Sequence, residues 1–172
     1  MVDPVAEVGR KLVQCVTVRG EPRAFPAEQV RFRPAAYGVA VRQGQALVAR
    51  SRFSGLWEFP GGAVQPWERL EEGLQREYQE ETGLAVTVGE CLGFDQGFIA
   101  FFQHAFNSLR FFYRVEVAGG PVQPQADEVV EVRWVSVHDL SEANMAPNHH
   151  RFLRLALGQA ADGGAGGSAG GS

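Results

Sequence analysis

One helix in this 172-residue chain has a buried stripe that changes from leucine to carboxylate, and nothing else in the sequence constrains the fold as tightly. The spacing predicts a helix over about Arg69 to Thr82, with Gly83 as its stop. Leu70, Leu74 and Tyr78 recur at i, i+4 and i+8 and define the face that meets a core. At about 100° per residue, Glu81 falls between Leu70 and Leu74 on that wheel. Glu77 sits at the edge of the stripe, and Glu80 lies about 60° beyond it.

Each of these placements is unfavourable alone. Negative charge in the last turn opposes the helix dipole by ~0.3–1 kcal/mol. Like charges one turn apart cost roughly 0.2–0.5 kcal/mol per pair, and a buried unpaired carboxylate costs more than either. A Glu-rich helix is ordinarily a solvated face, but the position of Glu81 argues against that here. A divalent cation removes all three penalties together, and carboxylate oxygens suit the hard ions Mg²⁺ and Mn²⁺. The turn ahead of the helix, Pro60-Gly61-Gly62, allows backbone to approach a ligand closely and to offer a carbonyl oxygen.

Strand-like segments flank this helix on both sides. "KLVQCVTV" and "EQVRFR" read as strands or an extended N-terminal arm, and "AAYGVAV", "RQGQ", "ALVAR" as a hairpin. After the helix, "LAVTVGECLGF" reads as a strand. "GFIAFFQHAFNSLRFFYRVEV" reads as two strands around a turn at "HAFNS". "VVEVRWVSV" is a further strand, and "HHRFLRLALGQA" a second helix with Asn148 as its N-cap. This order predicts an α/β or α+β sandwich with a mixed central sheet. It divides into an arm over 1–34, a main domain over 35–160 and a flexible Gly/Ser/Ala tail over 161–172.

Composition excludes several classes. No apolar run reaches the ~18 residues of a membrane span. The first residues lack an apolar signal-peptide region, and two cysteines, Cys15 and Cys91, are no disulfide framework. A cytoplasmic protein is expected. The net charge of -4 is asymmetric, with arginines concentrated before the helix and acids from it onward. That pattern suits an anion held between cations and an acidic cation site. No basic stripe suggests binding to duplex nucleic acid.

Gly62, Glu68, Arg76, Glu77, Glu80, Glu81 and Gly83, followed by Leu84, reproduce the spacing of the Nudix box, and "LWEFPGG" ahead of it resembles MutT-type members. The chain thus resembles the Nudix hydrolases over roughly residues 35 to 157. Tyr78 departs from the pattern, standing where an aliphatic residue is usual. So do Pro66 and Trp67, in a loop where glycine is common.

The resemblance implies a Nudix α/β/α sandwich with a catalytic loop-helix-loop. It also implies metal-assisted hydrolysis of a nucleoside diphosphate linked to another moiety, with Mg²⁺ as cofactor and Mn²⁺ as substitute. Glu77, Glu80 and Glu81 would be metal ligands, joined by the Gly61 carbonyl. Arg76 would orient Glu77, and Glu68 would be structural or hold a second metal. Arg50 and Arg52 would hold phosphate, and Glu58 would lie on the substrate side. Asn144 or Asn148 would contact the base. A small nucleotide is the expected partner, and the arm over 1–34 makes a homodimer an expectation. The alternative reading is a Nudix-fold binding or regulatory module without hydrolysis.

A further acid is expected from "QADEVVEVRWV". Alternation there sets Glu128 on one face with Val130, Val132 and Trp134, and Glu131 on the other. Glu128, with Asp127 as second choice, is therefore the expected general base or extra metal ligand.

Overall fold

The computed structural model describes residues 11–124 and 127–158. Two sheets stack between two helices. The larger sheet contains β1 (Leu12–Thr17), β2 (Pro22–Pro26), β3 (Val30–Val39), β7 (Gly61–Ala63), β8 (Val86–Phe101) and β9 (His104–Val117). Its order is β2-β1-β8-β9-β3-β7. The smaller sheet contains β4 (Val41–Arg42), β5 (Gln45–Ser51) and β10 (Val129–Ser136), with β6 (Trp57–Glu58) paired to β5. The first sheet is mixed, because β3 runs parallel to β9 while β8 and β9 form an antiparallel hairpin.

The expected helix is α1 (Leu70–Thr82). It starts where Glu72 accepts the Arg69 backbone N–H at 2.9 Å. It stops at Gly83, which is left-handed at φ 74° and donates to the Gln79 carbonyl. Leu74 and Tyr78 are fully buried against Ala36, Leu47, Val64 and Val115. The opposite face meets α2 (His149–Ala156), whose Phe152 and Leu153 pack with Val39, Val48, Phe59 and Phe112. In β5, Ala46 and Val48 belong to the α2 side and Leu47 to the α1 side. That double burial accounts for its unbroken apolar run and gives the α/β/α sandwich expected from sequence.

Three details differ from expectation. The "AAYGVAV" segment is not one arm of a hairpin. Residues 35–39 complete β3 between β9 and β7, and only Val41–Arg42 turns back onto β5. Gln43 and Gly44, both at positive φ, form the turn. The strand β3 also runs unbroken past position 34. The second difference is the β8–β9 turn, which falls at Phe102 and Gln103, because Phe101 pairs with His104. His104 and Asn107 are therefore strand residues, and Asn107 accepts the Gln96 amide across the hairpin at 2.7 Å. The third is Asn148, which stands at the N-cap of α2 but makes no cap bond. The tail over 161–172 lies outside the described residues.

Candidate active site

The end of α1 is brought against β7, where the carboxylates meet backbone. A Glu81 oxygen accepts the Gly61 N–H at 2.9 Å. Gly61 has φ 142°, and a Cβ there would collide with the Ala36 carbonyl oxygen. At Gly62 a Cβ would lie 2.7 Å from a Glu77 oxygen. Both glycines are thus required for two carboxylates to reach the turn.

Arg76 ties this arrangement together. Its Nε donates to Glu68 Oε1 at 2.7 Å, its Nη1 to Glu77 Oε1 at 2.7 Å, and its Nη2 to the Ala63 carbonyl at 3.0 Å. Glu80 lies 3.5 Å from the same Nη1. Glu68 also accepts the Gln65 N–H at 2.9 Å. Both Glu68 oxygens are thus engaged, Oε1 by Arg76 and Oε2 by Arg76 and the Gln65 N–H. Pro66 and Trp67 point to solvent and leave the turn undisturbed.

The electrostatics are those of crowded acids. Burial pushes the Glu81 carboxyl up to about 8, against the Gly61 N–H, and the charges of Glu58, Glu77 and Glu128 push the same way. Burial also raises Glu77 despite Arg76, and raises Glu58 despite bonds from Ser51 and Ser54. Glu68 is the reverse case, held at about 2 by Arg76 and the Gln65 N–H.

Among the described residues, no three Asp, Glu, His or Cys side chains already form a cage for an ion. A hard ion such as Mg²⁺ keeps several waters and takes one or two carboxylates together with substrate phosphate. Glu77 and Glu81, short of counter-charge and beside open glycine backbone, fit that mode of binding.

The remaining expected residues are scattered around this turn. Arg50 is exposed, and its Nε donates to the Gly55 carbonyl at 3.0 Å. Arg52 is exposed, and its backbone N–H bonds the Glu128 carbonyl at 2.9 Å. The Glu58 side chain accepts from Ser54 at 3.5 Å. Both Asn144 amide ends are used within its own loop, accepting from Ser141 N at 2.8 Å and donating to Asp139 O at 2.7 Å.

Asp127 and Glu128 are exposed, and the alternation expected after them fails at once. A bulge falls between Val129 and Glu131. It buries Val129 and leaves Val130 62% exposed, while Val132 and Trp134 still face α1. The extra residue resets the strand's phase. Glu131 turns to Arg133 at 3.2 Å, whereas the charge of Glu128 is felt at Glu58 and Glu81.

Four further residues belong to the site. Arg110 of β9 grips Asp95 of β8 through two bonds of 2.7 and 2.6 Å, and Asn148 donates to the same Asp95 at 2.5 Å. Tyr37 of β3 feels the charges of Arg33, Glu58, Arg110 and Glu81, and its burial pushes the phenol up to about 12. His149 is buried and lowered to about 3, with its Nδ1 accepting the Phe59 N–H at 3.0 Å. The sequence signal for the first pair was an Arg and an Asp set among apolar residues, in "SLRFF" and "LGFDQ".

The NUDIX domain profile matches residues 31–156. The chain is 33% identical over 138 residues to a NAD-capped RNA hydrolase NudC of Pseudomonas putida, covering 76% of this chain and 45% of that protein. It is 34% identical over 110 residues to a MutT-like protein of Streptomyces ambofaciens, covering 61% and 64%. The chain therefore spans about half the length of the NudC relatives it matches. In structure it resembles a MutT NUDIX hydrolase from Burkholderia pseudomallei, with TM-score 0.63 at 22% identity, covering 73% of this chain and 98% of that one. Among the described residues no helix is long and apolar enough to cross a membrane. Profile, relatives and fold agree with the box read from the sequence, and the chain belongs to the NUDIX domain family.

Proposed function

We propose that this chain is a Mg²⁺-dependent pyrophosphohydrolase whose substrate is a nucleoside diphosphate linked to another moiety, with Mn²⁺ able to substitute. The observation that carries this reading is the meeting of Glu77 and Glu81 at Gly61–Gly62. Two acids with raised pKa, Glu77 beside Glu80 and Glu81 crowded by Glu58 and Glu128, lack only a cation and an anionic substrate.

Glu77 and Glu81 would hold the ion, with the Gly61 carbonyl and Glu80 at its margin. When bound, the ion polarises the phosphate and lowers the pKa of an attacking water. Arg76 keeps Glu77 aimed at the turn. Glu128 stands as the candidate to take the proton from water. Arg50 and Arg52 lie at the rim, on the strand and loop that face Glu128, where they would meet phosphate. Asn148 would lie toward the group beyond the diphosphate.

The NudC relatives are named for NAD-capped RNA, which puts dinucleotides in the substrate class to test first. Phe32, Phe94 and Phe98 are exposed on the larger sheet and support self-association as a homodimer, which sedimentation would test. For activity, nucleoside di- and triphosphates, nucleotide sugars and dinucleotides including NAD would be incubated with Mg²⁺ and the products identified by mass. Cleavage at a diphosphate, lost in Glu81→Gln, is the expected result. Binding without cleavage across the whole panel would sink the reading.

A further inference from the structure

We propose that Arg110, locked in place by Asp95, is the clamp that holds the substrate's diphosphate opposite the carboxylate wall. The inference rests on the hydrolase reading for its substrate class, but it stands on separate geometry.

Sheet register sets the two walls. Gly61, Tyr37, Phe112 and Gly93 form one row across β7, β3, β9 and β8. Ala63, Ala35, Arg110 and Asp95 form the row two residues away. Arg110 is thus two strands in from the edge where Glu77 and Glu81 meet the glycines. Adjacent strands are about 4.8 Å apart, so the two walls are separated by roughly 10 Å of sheet. That span suits a diphosphate with an ion on one side and a guanidinium on the other. Tyr37 stands between them on β3, and both it and Glu58 feel Arg110 and an acid of the site.

The fork of Arg110 is aimed. Nε and Nη2 are both committed to Asp95. Nη1 makes no hydrogen bond among the described residues, and the side chain is 14% exposed. A buried ion pair adds little net stability over an apolar pair, so what it provides here is direction. Asp95 is 8% exposed and also holds Asn148, which fixes the carboxylate from a second side. The free edge of a fixed guanidinium is matched to phosphate oxygens.

The floor beside the fork is open. At Gly97, one row further along, a Cβ would have only Arg110 Nη2 within reach, at 3.9 Å. Its row partner Ser108 is fully buried, and its hydroxyl has no hydrogen-bond partner. Arg33 completes that row from β3 and adds a second cation.

The test uses α,β-methylene-ADP, a diphosphate that cannot be cleaved at that bridge, titrated calorimetrically at saturating Mg²⁺. Arg110→Lys keeps a cation beside Asp95 and removes the fork. Gly97→Leu leaves the ion pair intact and fills the floor. Each should weaken binding about tenfold or more, the value of a charge-assisted hydrogen bond. AMP, with one phosphate, should lose less than threefold. With a cleavable substrate, KM should rise about tenfold while kcat stays within threefold. Wild-type affinity in folded Arg110→Lys overturns the clamp. Should that variant fail to fold, wild-type affinity in Gly97→Leu overturns it instead. Probe binding that responds to these changes, in a protein that cleaves no nucleotide, would leave the clamp standing and remove the hydrolase reading. Cleavage with unchanged KM in both variants would do the opposite.

Discussion

Arg76 and Glu68 meet fork to fork, Nε on Oε1 at 2.7 Å and Nη2 on Oε2 at 3.0 Å, and so fasten the middle of α1 to the turn that precedes it. Because the same Nη2 bonds the Ala63 carbonyl, β7 is fastened too. This pair sets an acid limit. The Glu68 carboxyl is held at about 2, below its ordinary value of 4.5, so the folded state favours its charged form. Its contribution is fully present above pH 4.5 and is lost as pH falls toward 2. Glu68→Gln should lower the melting temperature at pH 6, and the gap from wild type should close as pH drops through that window. A constant gap from pH 6 to 2 would show that the charge of Glu68 is not what matters.

Glu81 has the opposite sign. Its carboxyl is raised from 4.5 to about 8, so the metal-free fold favours the protonated form. The stabilisation is present below pH 4.5 and is lost as pH rises through about 8. In EDTA, wild-type protein should therefore lose melting temperature between pH 5 and 8. Glu81→Gln removes the titrating charge and its repulsion with Glu58, Glu77 and Glu128. The variant should show a flatter profile and should be the more stable protein at pH 8 without metal. Adding Mg²⁺ should restore wild type and leave the variant almost unmoved. A variant less stable than wild type throughout would contradict the crowding of acids at this turn.

Tyr78 departs from the aliphatic pattern of the box, and its hydroxyl is buried without a hydrogen-bond partner. The ring packs under Gly38, whose Cβ position lies 2.8 Å from a Tyr78 ring carbon. Burying an unsatisfied hydroxyl costs about 1–3 kcal/mol. Tyr78→Phe keeps the ring and removes that burden, so urea denaturation should show a gain of about 1 kcal/mol with an unchanged m-value. A loss of stability would mean the hydroxyl has a bonded water.

The box was legible because its chemistry is local. A helix fixes the angles between Arg76, Glu77, Glu80 and Glu81, and a glycine turn one helix-length away fixes what they can reach. Pairing between distant strands was less legible. Residues 35–39 of β3 are apolar on both faces, so their pattern gave no preference between a hairpin and a parallel partner such as β9. The Asp95–Arg110 pair was hidden by a small error of phase. A turn centred in "HAFNS" would set Asp95 opposite Val117, whereas the turn at Phe102–Gln103 sets it opposite Arg110. The bulge in β10 has the same lesson, since one extra residue decides which side chains of "EVVEVRW" face inward.

That bulge separates Glu128 from Glu131 by chemistry rather than by alternation. Glu128 precedes the strand, and its carbonyl is held by the Arg52 N–H across the site rim. Its side chain is exposed, yet its charge raises both Glu58 and Glu81, so it lies within electrostatic reach of the Gly61–Gly62 turn. Glu131 lies beyond the bulge and is paired with Arg133, which in turn lies over the Trp57 ring. A base that takes a proton from the attacking water must lie near the acids at the end of the helix, and of these two it is Glu128 whose charge is felt at Glu81. Loss of a general base typically lowers rate by about 10²–10⁴. Glu128→Gln should lower kcat by that order at saturating Mg²⁺, with KM little changed, and Glu131→Gln should stay within twofold of wild type. A Glu128→Gln enzyme with normal kcat would remove this residue from the proton's path and leave the acids of the helix to supply the base.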